Sequence, residues 1–149
     1  MIDQGALGAF DDCLRRSGFP ILAGVDEAGR GPLAGPVVAA VVVMRPGVHP
    51  QGVVDSKMLS AGRRDAALRR ILEGCMEVSL GAAWQDEIDE TNIRAATLLA
   101  MSRAISQLMV SPDLVLVDGR DLPHMSRPGV ALVKGDARSE SVAAASIAA

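Results

Sequence analysis

The sequence predicts an α/β protein in which helices pack on a mixed β-sheet. Two observations support this fold class. Short apolar runs rich in β-branched residues alternate with longer segments whose apolar residues recur at helical spacing, and the order of these segments is typical of a mixed sheet. The chain has 149 residues, of which 49% are hydrophobic, enough for one buried core. We therefore expect a single domain spanning residues 1–149.

Apolar periodicity and capping residues delimit the elements. In chain order we expect a helix at 3–16, strands at 21–25 and 36–44, a helix at 61–73, a strand at 76–84, a helix after 89, strands at 114–117 and 130–133, and a helix starting at 139. The first helix places Leu7, Phe10 and Leu14 on one side and ends before Gly18. The segment 26–35 is dense in glycine and proline, so we expect a turn between the first two strands.

Capping residues and apolar periodicity also define the elements in the second half of the chain. Ser60 can cap the helix at 61–73, and Gly74 can end it. The strand at 76–84 alternates, with one predicted apolar face formed by Met76, Val78, Leu80, Ala82 and Trp84. The helix after Asp89 has an apolar side that would pack on the sheet, formed by Ile93, Ala96, Thr97, Ala100, Met101, Ala104 and Leu108.

Several classes of protein are disfavoured. The longest apolar run, Val37–Met44, is far shorter than the ~18 residues of a membrane span, and the N-terminus does not resemble a signal peptide. Cys13 and Cys75 are too few for a disulfide framework or a zinc site. His49 and His124 lack companion ligands and are expected at the surface. We expect a cytoplasmic monomer.

Acidic residues stand at the ends of three predicted strands. Asp26 and Glu27 follow the first, Asp118 follows the strand at 114–117, and Asp136 follows a third. An isolated aspartate at a strand end more often forms a turn or caps a helix, but a buried strand has no packing reason to end in two adjacent acids. Like charges a few ångströms apart repel unless a cation neutralises them, and hard divalent cations prefer carboxylate oxygens. The pattern therefore predicts a shared metal site.

Residues 24–36, which read GVDEAGRGPLAGP, resemble the signature of the ribonuclease HII family. Further blocks follow in the family's order and with compatible spacing. They are Asp55-Ser56-Lys57 with Leu59-Ser60, Glu87-Ile88-Asp89 with Asn92-Ile93, Leu116-Val117-Asp118-Gly119, and Val133-Lys134-Gly135-Asp136 with Ala144-Ala145-Ser146-Ile147. The resemblance thus extends from about residue 21 to the end of the sequence.

This resemblance implies a ribonuclease H-like fold and a site of four carboxylates, Asp26, Glu27, Asp118 and Asp136, that binds Mn²⁺ or Mg²⁺. It implies an endoribonuclease that cleaves the RNA strand of RNA/DNA hybrids and cuts at ribonucleotides embedded in duplex DNA. The implied reaction is two-metal-ion phosphodiester hydrolysis, with 5'-phosphate and 3'-hydroxyl products. The implied partners are these duplexes, and the implied setting is DNA replication and ribonucleotide excision repair. The net charge of −3 argues against a general nucleic-acid binder, but bound cations would invert the local field.

The same resemblance implies substrate contacts by Gly29, Arg30, Gly31, Lys57 and Asn92. Glycines let the backbone approach a sugar, where amide and carbonyl groups can bond a 2'-hydroxyl that only RNA offers. The competing interpretation of these glycines is a tight turn that needs positive φ. Lys57 and Arg30 suit phosphate contacts, whereas Asn92 stands at a helix start, where capping is the competing explanation.

The sequence also departs from the family pattern. Family members usually continue past the Ala-Ser-Ile segment into a basic stretch, further helices and a tyrosine, and Met58 replaces a frequent lysine. We therefore expect that the C-terminal helical part of the fold is missing. One alternative is a truncated remnant, weakly active or inactive, that binds metal and duplex. Another is a different metal-dependent nuclease or recombinase of the same fold, against which the Gly-Arg-Gly turn speaks.

Overall fold

A five-stranded mixed sheet organises the structure, a computed structural model that describes residues 4–29 and 35–149. The strands are β1 Leu22–Ala28, β2 Val37–Met44, β3 Cys75–Ala83, β4 Leu114–Asp118 and β5 Gly129–Leu132. Their order across the sheet is β3-β2-β1-β4-β5. The first three strands pair antiparallel, and β4 and β5 continue the sheet in parallel with β1. Mixed pairing of this kind was expected from the order of elements.

Five α-helices and two short 3-10 turns complete the described chain. The helices are α1 Gln4–Arg16, α2 Ala61–Gly74, α3 Gln85–Glu90, α4 Ile93–Ser106 and α5 Glu140–Ala148. The 3-10 turns are Ser56–Met58, named here the Lys57 turn, and Gly135–Ala137, named here the Asp136 turn. None of the helices in the described ranges has the length and apolar content needed to cross a membrane.

The helices cover the two faces of the sheet. On one face, α4 packs against β1 and β2 through Ala100, Met101 and Ala104. On the other face, α1, α2 and α5 pack against the same strands, with Leu7 and Ile71 fully buried. Burial of both faces explains why β2 is almost continuously apolar instead of alternating.

Two glycines allow helices to approach the sheet closely. A Cβ placed on Gly24 of β1 would lie 2.1 Å from the backbone carbonyl of Ser141 in α5. A Cβ placed on Gly81 of β3 would lie 2.3 Å from the carbonyl oxygen of Ala100 in α4. Neither position can accept a side chain without a helix moving, so glycine at these two sites fixes the distance between helix and sheet.

The predicted helix and strand order is confirmed, with three differences. β1 continues through Ala28, because Asp26 and Glu27 pair with Ala40 and Ala39 of β2, so the turn predicted to begin at Asp26 begins later. The short helix α3 was not predicted. Its first turn is held by the Glu87 carboxylate, which accepts a hydrogen bond from the Trp84 amide at 2.9 Å.

The third difference concerns β3. The predicted apolar face is largely open, with Leu80 at 51% and Trp84 at 60% exposure. The opposite face packs on α4 instead, through Ser79, Gly81 and Ala83. Ser79 and Ala83 have small side chains, and Gly81 has none. Small residues permit the close contact with α4, and sequence alternation alone does not reveal which of the two faces a helix covers.

Candidate metal centre

Asp26 and Asp118 lie side by side on two parallel strands, Asp118 as the last residue of β4 and Asp26 two residues before the end of β1. The register pairs Val25 of β1 with Val117 of β4, so the next residue on each strand is an aspartate. Carboxylate oxygens of Asp26, Glu27 and Asp118 all lie within 4.8 Å of one another. Parallel pairing of β1 and β4 therefore turns two separate sequence signals into one cluster.

Backbone amides hold two of these carboxylates. Asp118 Oδ1 accepts a hydrogen bond of 2.7 Å from the amide of Gly135, and Asp26 Oδ1 accepts one of 2.8 Å from the amide of Glu27. The Gly135 amide is presented by Lys134, whose φ of 57° is left-handed and is the single positive value among non-glycine residues of the described chain. Unusual backbone geometry at this point fixes the direction of the bond to Asp118.

Asp136 lies in the same cavity but outside the tight cluster. The cavity measures about 310 Å³ and is lined by the four predicted carboxylates together with Lys57 and Arg64. Asp136 is 5% exposed, and Lys57 Nζ lies 3.7 Å from its Oδ2 atom. The structure thus brings Asp26, Glu27, Asp118, Asp136 and Lys57 together around one cavity.

The electrostatics of the cavity disfavour four ionised carboxylates in the absence of a cation. Burial, reinforced by the nearby charges of Asp118 and Glu27, raises the pKa of Asp26 to about 9. Burial also raises the pKa of Asp136, with further contributions from Asp55 and Asp118 that Lys57 opposes. The carboxylates in turn raise the pKa of Lys57, which remains a cation. Without a cation, Asp26 is therefore protonated at neutral pH, and a bound cation would favour its ionised form.

The donor set fits a hard divalent cation. The three closely grouped residues offer carboxylate oxygens only, and no histidine or cysteine of the described chain joins that group. Oxygen-only sites of this kind suit Mg²⁺ or Mn²⁺. A bound cation would offset both the burial and the repulsion from Asp118 and Glu27 that raise the pKa of Asp26.

The Lys57 turn is tied to two helices. Ser56 Oγ lies 2.8 Å from Ser146 Oγ of α5, and Arg64 Nη2 of α2 donates to the carbonyl of Ser56 at 3.3 Å. Arg64 also lines the cavity, whereas the sequence favours a solvated helix face for the four arginines Arg63, Arg64, Arg69 and Arg70, with a face near the duplex as the alternative. Its position in the first turn of α2, four residues after the Ser60 cap, was the available signal.

The predicted substrate contacts fare differently. Gly29 has φ of 91°, and a Cβ there would lie 2.6 Å from the Pro36 carbonyl oxygen, so the local backbone requires glycine whether or not this residue also contacts substrate. Arg30 and Gly31 lie outside the described residues. The Asn92 side chain caps α4, accepting a 2.8 Å hydrogen bond from the Ala95 amide, and Asn92 does not line the carboxylate cavity.

The chain matches one family of known proteins over most of its length. The sequence profile of the family described as Ribonuclease HII matches residues 23–149. Ribonuclease HII of Brucella ovis is 53% identical over 137 residues, which are 91% of this chain and 62% of that protein. The chain spans about three fifths of the length of such curated relatives.

Solved structures of other proteins also resemble the fold. The ribonuclease H2 from Pyrococcus horikoshii OT3 superposes with a TM-score of 0.73 at 29% identity, covering 86% of this chain and 69% of that one. Bst-RNase HIII in complex with Mn²⁺ superposes with a TM-score of 0.69 at 21% identity, covering 85% of this chain and 49% of that one. The second likeness concerns the fold alone. The predicted ribonuclease H-like fold is confirmed.

Proposed function

The chain belongs to the ribonuclease HII family, and from this premise we propose that it is a metal-dependent endonuclease that cuts RNA paired with DNA. The proposed substrates are RNA/DNA hybrids and DNA duplexes with embedded ribonucleotides. The proposed products carry 5'-phosphate and 3'-hydroxyl ends. We further propose that residues 1–149 act as one catalytic domain.

The observation that carries this proposal is the cluster of three carboxylates formed by Asp26, Glu27 and Asp118. Three acids within 4.8 Å of one another, one of them almost fully buried, are costly to keep together unless a cation binds them. We propose Mn²⁺ or Mg²⁺ as that cation, with Asp136 as a fourth ligand across the same cavity. The Mn²⁺ complex of a protein with the same fold supports this choice.

The residues of the chain would divide the work of hydrolysis. Divalent cations, when bound, would supply the charge neutralisation and Lewis acidity that phosphodiester hydrolysis requires. The carboxylates of Asp26, Glu27 and Asp118 would fix the position of the cations, and the Gly135 amide would keep Asp118 in the orientation for binding. Lys57, which is 80% exposed at its side chain, can leave its contact with Asp136 and reach a phosphate of the incoming duplex.

Arg64 adds a second positively charged side chain, after Lys57, to the lining of the cavity. One of its terminal nitrogens bonds the backbone of the Lys57 turn, and an arginine has five N–H donors in all. The remaining donors are available for a backbone phosphate, so we propose Arg64 as a further duplex contact. Recognition of the ribose is assigned to Gly29, Arg30 and Gly31, on the grounds of the family motif.

The test is single-turnover cleavage of a labelled DNA duplex with one embedded ribonucleotide, with Mn²⁺ or Mg²⁺ present. Asp118→Asn should lower the rate by several orders of magnitude and weaken Mn²⁺ binding, while thermal unfolding and circular dichroism remain close to those of the parent. Asp65→Asn, an exposed residue of α2, is the matched control and should cleave normally.

Each outcome decides one part of the proposal. Cleavage with 5'-phosphate products that depends on Asp118 supports it. Cleavage that survives Asp118→Asn removes this residue from the site. Binding of Mn²⁺ and duplex without cleavage by the parent chain would support the remnant alternative instead.

A further inference from the structure

Three charged side chains outside the metal centre connect α1 to α5. His49 lies in the loop after β2, and each of its two ring nitrogens contacts a different carboxylate. Its Nδ1 atom lies 2.6 Å from Glu140 Oε1, and its Nε2 atom lies 3.0 Å from Asp12 Oδ2. We name Asp12, His49 and Glu140 the histidine clamp. His49 is exposed, as expected from the sequence, and both of its ring nitrogens are engaged.

The surroundings of the clamp favour a positively charged imidazole. Glu140 is fully buried, and its second oxygen, Oε2, has no hydrogen-bond partner among the described residues. Two further charged groups of α1 lie near Glu140: Arg15, which also bonds Asp12 at 2.6 Å, and the buried Asp11. Burial raises the pKa of Glu140, and its hydrogen bond and charge interaction with His49 oppose that rise. Hydrogen bonding to Glu140 is the main cause that raises the pKa of His49.

The proton on His49 determines how many bonds the clamp makes. A protonated imidazole donates from both nitrogens, whereas a neutral imidazole donates from only one. When both carboxylates are ionised, loss of the proton leaves either Asp12 or Glu140 facing a nitrogen lone pair. Glu140 is buried, so water cannot replace the lost hydrogen bond. When the proton leaves, the contact of His49 with Glu140 of α5 or with Asp12 of α1 therefore weakens.

A short path of hydrogen bonds links the clamp to the metal centre. Glu140 is the first residue of α5, and the Ser139 amide just before it donates to the Gly135 carbonyl at 2.8 Å. The Gly135 amide donates to Asp118 at 2.7 Å, and Asp136 belongs to the same 3-10 turn. A shift of the α5 N-terminus would therefore move one carboxylate directly and the hydrogen-bond donor of another.

We propose that the histidine clamp positions the metal centre, and that protonated His49 holds the Asp136 turn in the arrangement that binds the cation. His49 and Glu140 act here as positioning residues, since neither lies in the cavity of the carboxylates. This inference rests on the proposed metal site. The proposed role depends on pH and belongs to residues outside the acidic cluster.

Gly8 provides a way to open the clamp without removing any charged group. A Cβ on Gly8 of α1 would lie 2.9 Å from His49 Nδ1, which is too close for the ring to keep its place. Alanine otherwise stabilises a helix relative to glycine. A loss of Mn²⁺ affinity in Gly8→Ala could therefore not be explained by a less stable α1 helix.

The experiment measures Mn²⁺ affinity of the parent, His49→Gln and Gly8→Ala between about pH 6 and about pH 9, a range that brackets an ordinary and a raised histidine pKa. His124→Gln, the chain's other histidine and an exposed loop residue, is the matched control. The quantity compared is the ratio of each variant's Kd to that of the parent at the same pH, because protonation of the carboxylates themselves affects all four proteins.

We expect a ratio of about ten for His49→Gln near pH 6, at the low end of the effects of residues that support metal ligands. The ratio should approach one near pH 9, where the parent clamp has also lost its proton. Gly8→Ala should show the same trend, and His124→Gln should give one throughout. A ratio for His49→Gln that does not change with pH would overturn the proposal.

A second measurement separates this inference from the proposed function. In the metal-free protein, the amide resonance of Gly135 should titrate together with the His49 ring in the parent and lose that titration step in His49→Gln. A parent that fails to bind Mn²⁺ would overturn the proposed metal site. A Gly135 resonance that ignores the His49 titration would overturn the clamp, whether or not metal binds.

Discussion

Replacing Gly24 with alanine should strongly destabilise the fold, because β1 and α5 meet there backbone to backbone. The added Cβ would lie 2.1 Å from the carbonyl carbon and oxygen of Ser141 and 2.5 Å from the Val142 amide nitrogen, well inside the 3.4 Å at which ordinary contact begins. All three atoms belong to the backbone of a buried helix, so no side chain can rotate away. The helix itself has to move.

The expected cost follows from this geometry. Overpacking a core usually costs about 1–3 kcal/mol when side chains can adjust, and here they cannot, so we expect a loss of at least about 3 kcal/mol. That is a large part of the roughly 5–15 kcal/mol that stabilises a typical domain. With a urea slope of about 2 kcal/mol per molar, the unfolding midpoint should fall by about 1.5 M.

Gly62→Ala is the matched control for urea unfolding followed by circular dichroism. Gly62 lies in α2, and a Cβ there would have nothing within 4 Å, so the same substitution should stabilise the protein by about 0.5–1 kcal/mol. The two substitutions should therefore have opposite signs. A Gly24→Ala midpoint equal to that of the parent would refute the reasoning, since it would mean that α5 can withdraw from the sheet at little cost.

Three further outcomes can be checked. Because the folded-state pKa of Asp26, about 9, lies above its unfolded value of 3.8, the cation-free protein should lose stability as the pH rises from about 4 to about 9, and its urea midpoint should fall over this range. Saturating Mn²⁺ should reduce that fall, and calorimetry should detect protons released when Mn²⁺ binds. Lys57→Met should weaken duplex binding measured in Ca²⁺ and lower the salt slope by about one, whereas Arg69→Gln should not; equal slopes would exclude a phosphate contact by Lys57. Gly31→Val should block cleavage at an embedded ribonucleotide while leaving Mn²⁺ affinity unchanged, and full cleavage by this variant would reduce the turn to a structural role.

The arrangement of helices and strands was predictable because its signals are local. Apolar periodicity distinguished α4 from β4, and Ser60 marked the start of α2, where its side chain does accept a hydrogen bond from the Arg63 amide. The exact end of β1 was less predictable. Glycine and proline mark where a turn must lie, but pairing with β2 decides how far the strand continues beyond Val25.

The face of β3 could not be predicted from alternation. Leu80 and Trp84 are the larger side chains, yet Gly81 and Ala83 lie on the face that α4 covers. Close helix packing selects small residues, and a pattern of large apolar residues does not report it. The clamp at His49 escaped sequence analysis for a similar reason, since Asp12, His49 and Glu140 are far apart in the chain.

The sequence by itself determined the family and the fold class, and it marked the acids that follow apolar strands. It did so because strand-end chemistry and motif spacing are written in consecutive residues. Only the tertiary structure decided which strand ends are neighbours: the parallel register of β1 and β4 places Asp26 beside Asp118, and the Asp136 turn supplies the amide that holds Asp118. Strand register and helix packing depend on contacts between residues far apart in the chain, and these contacts set the distances on which metal binding depends.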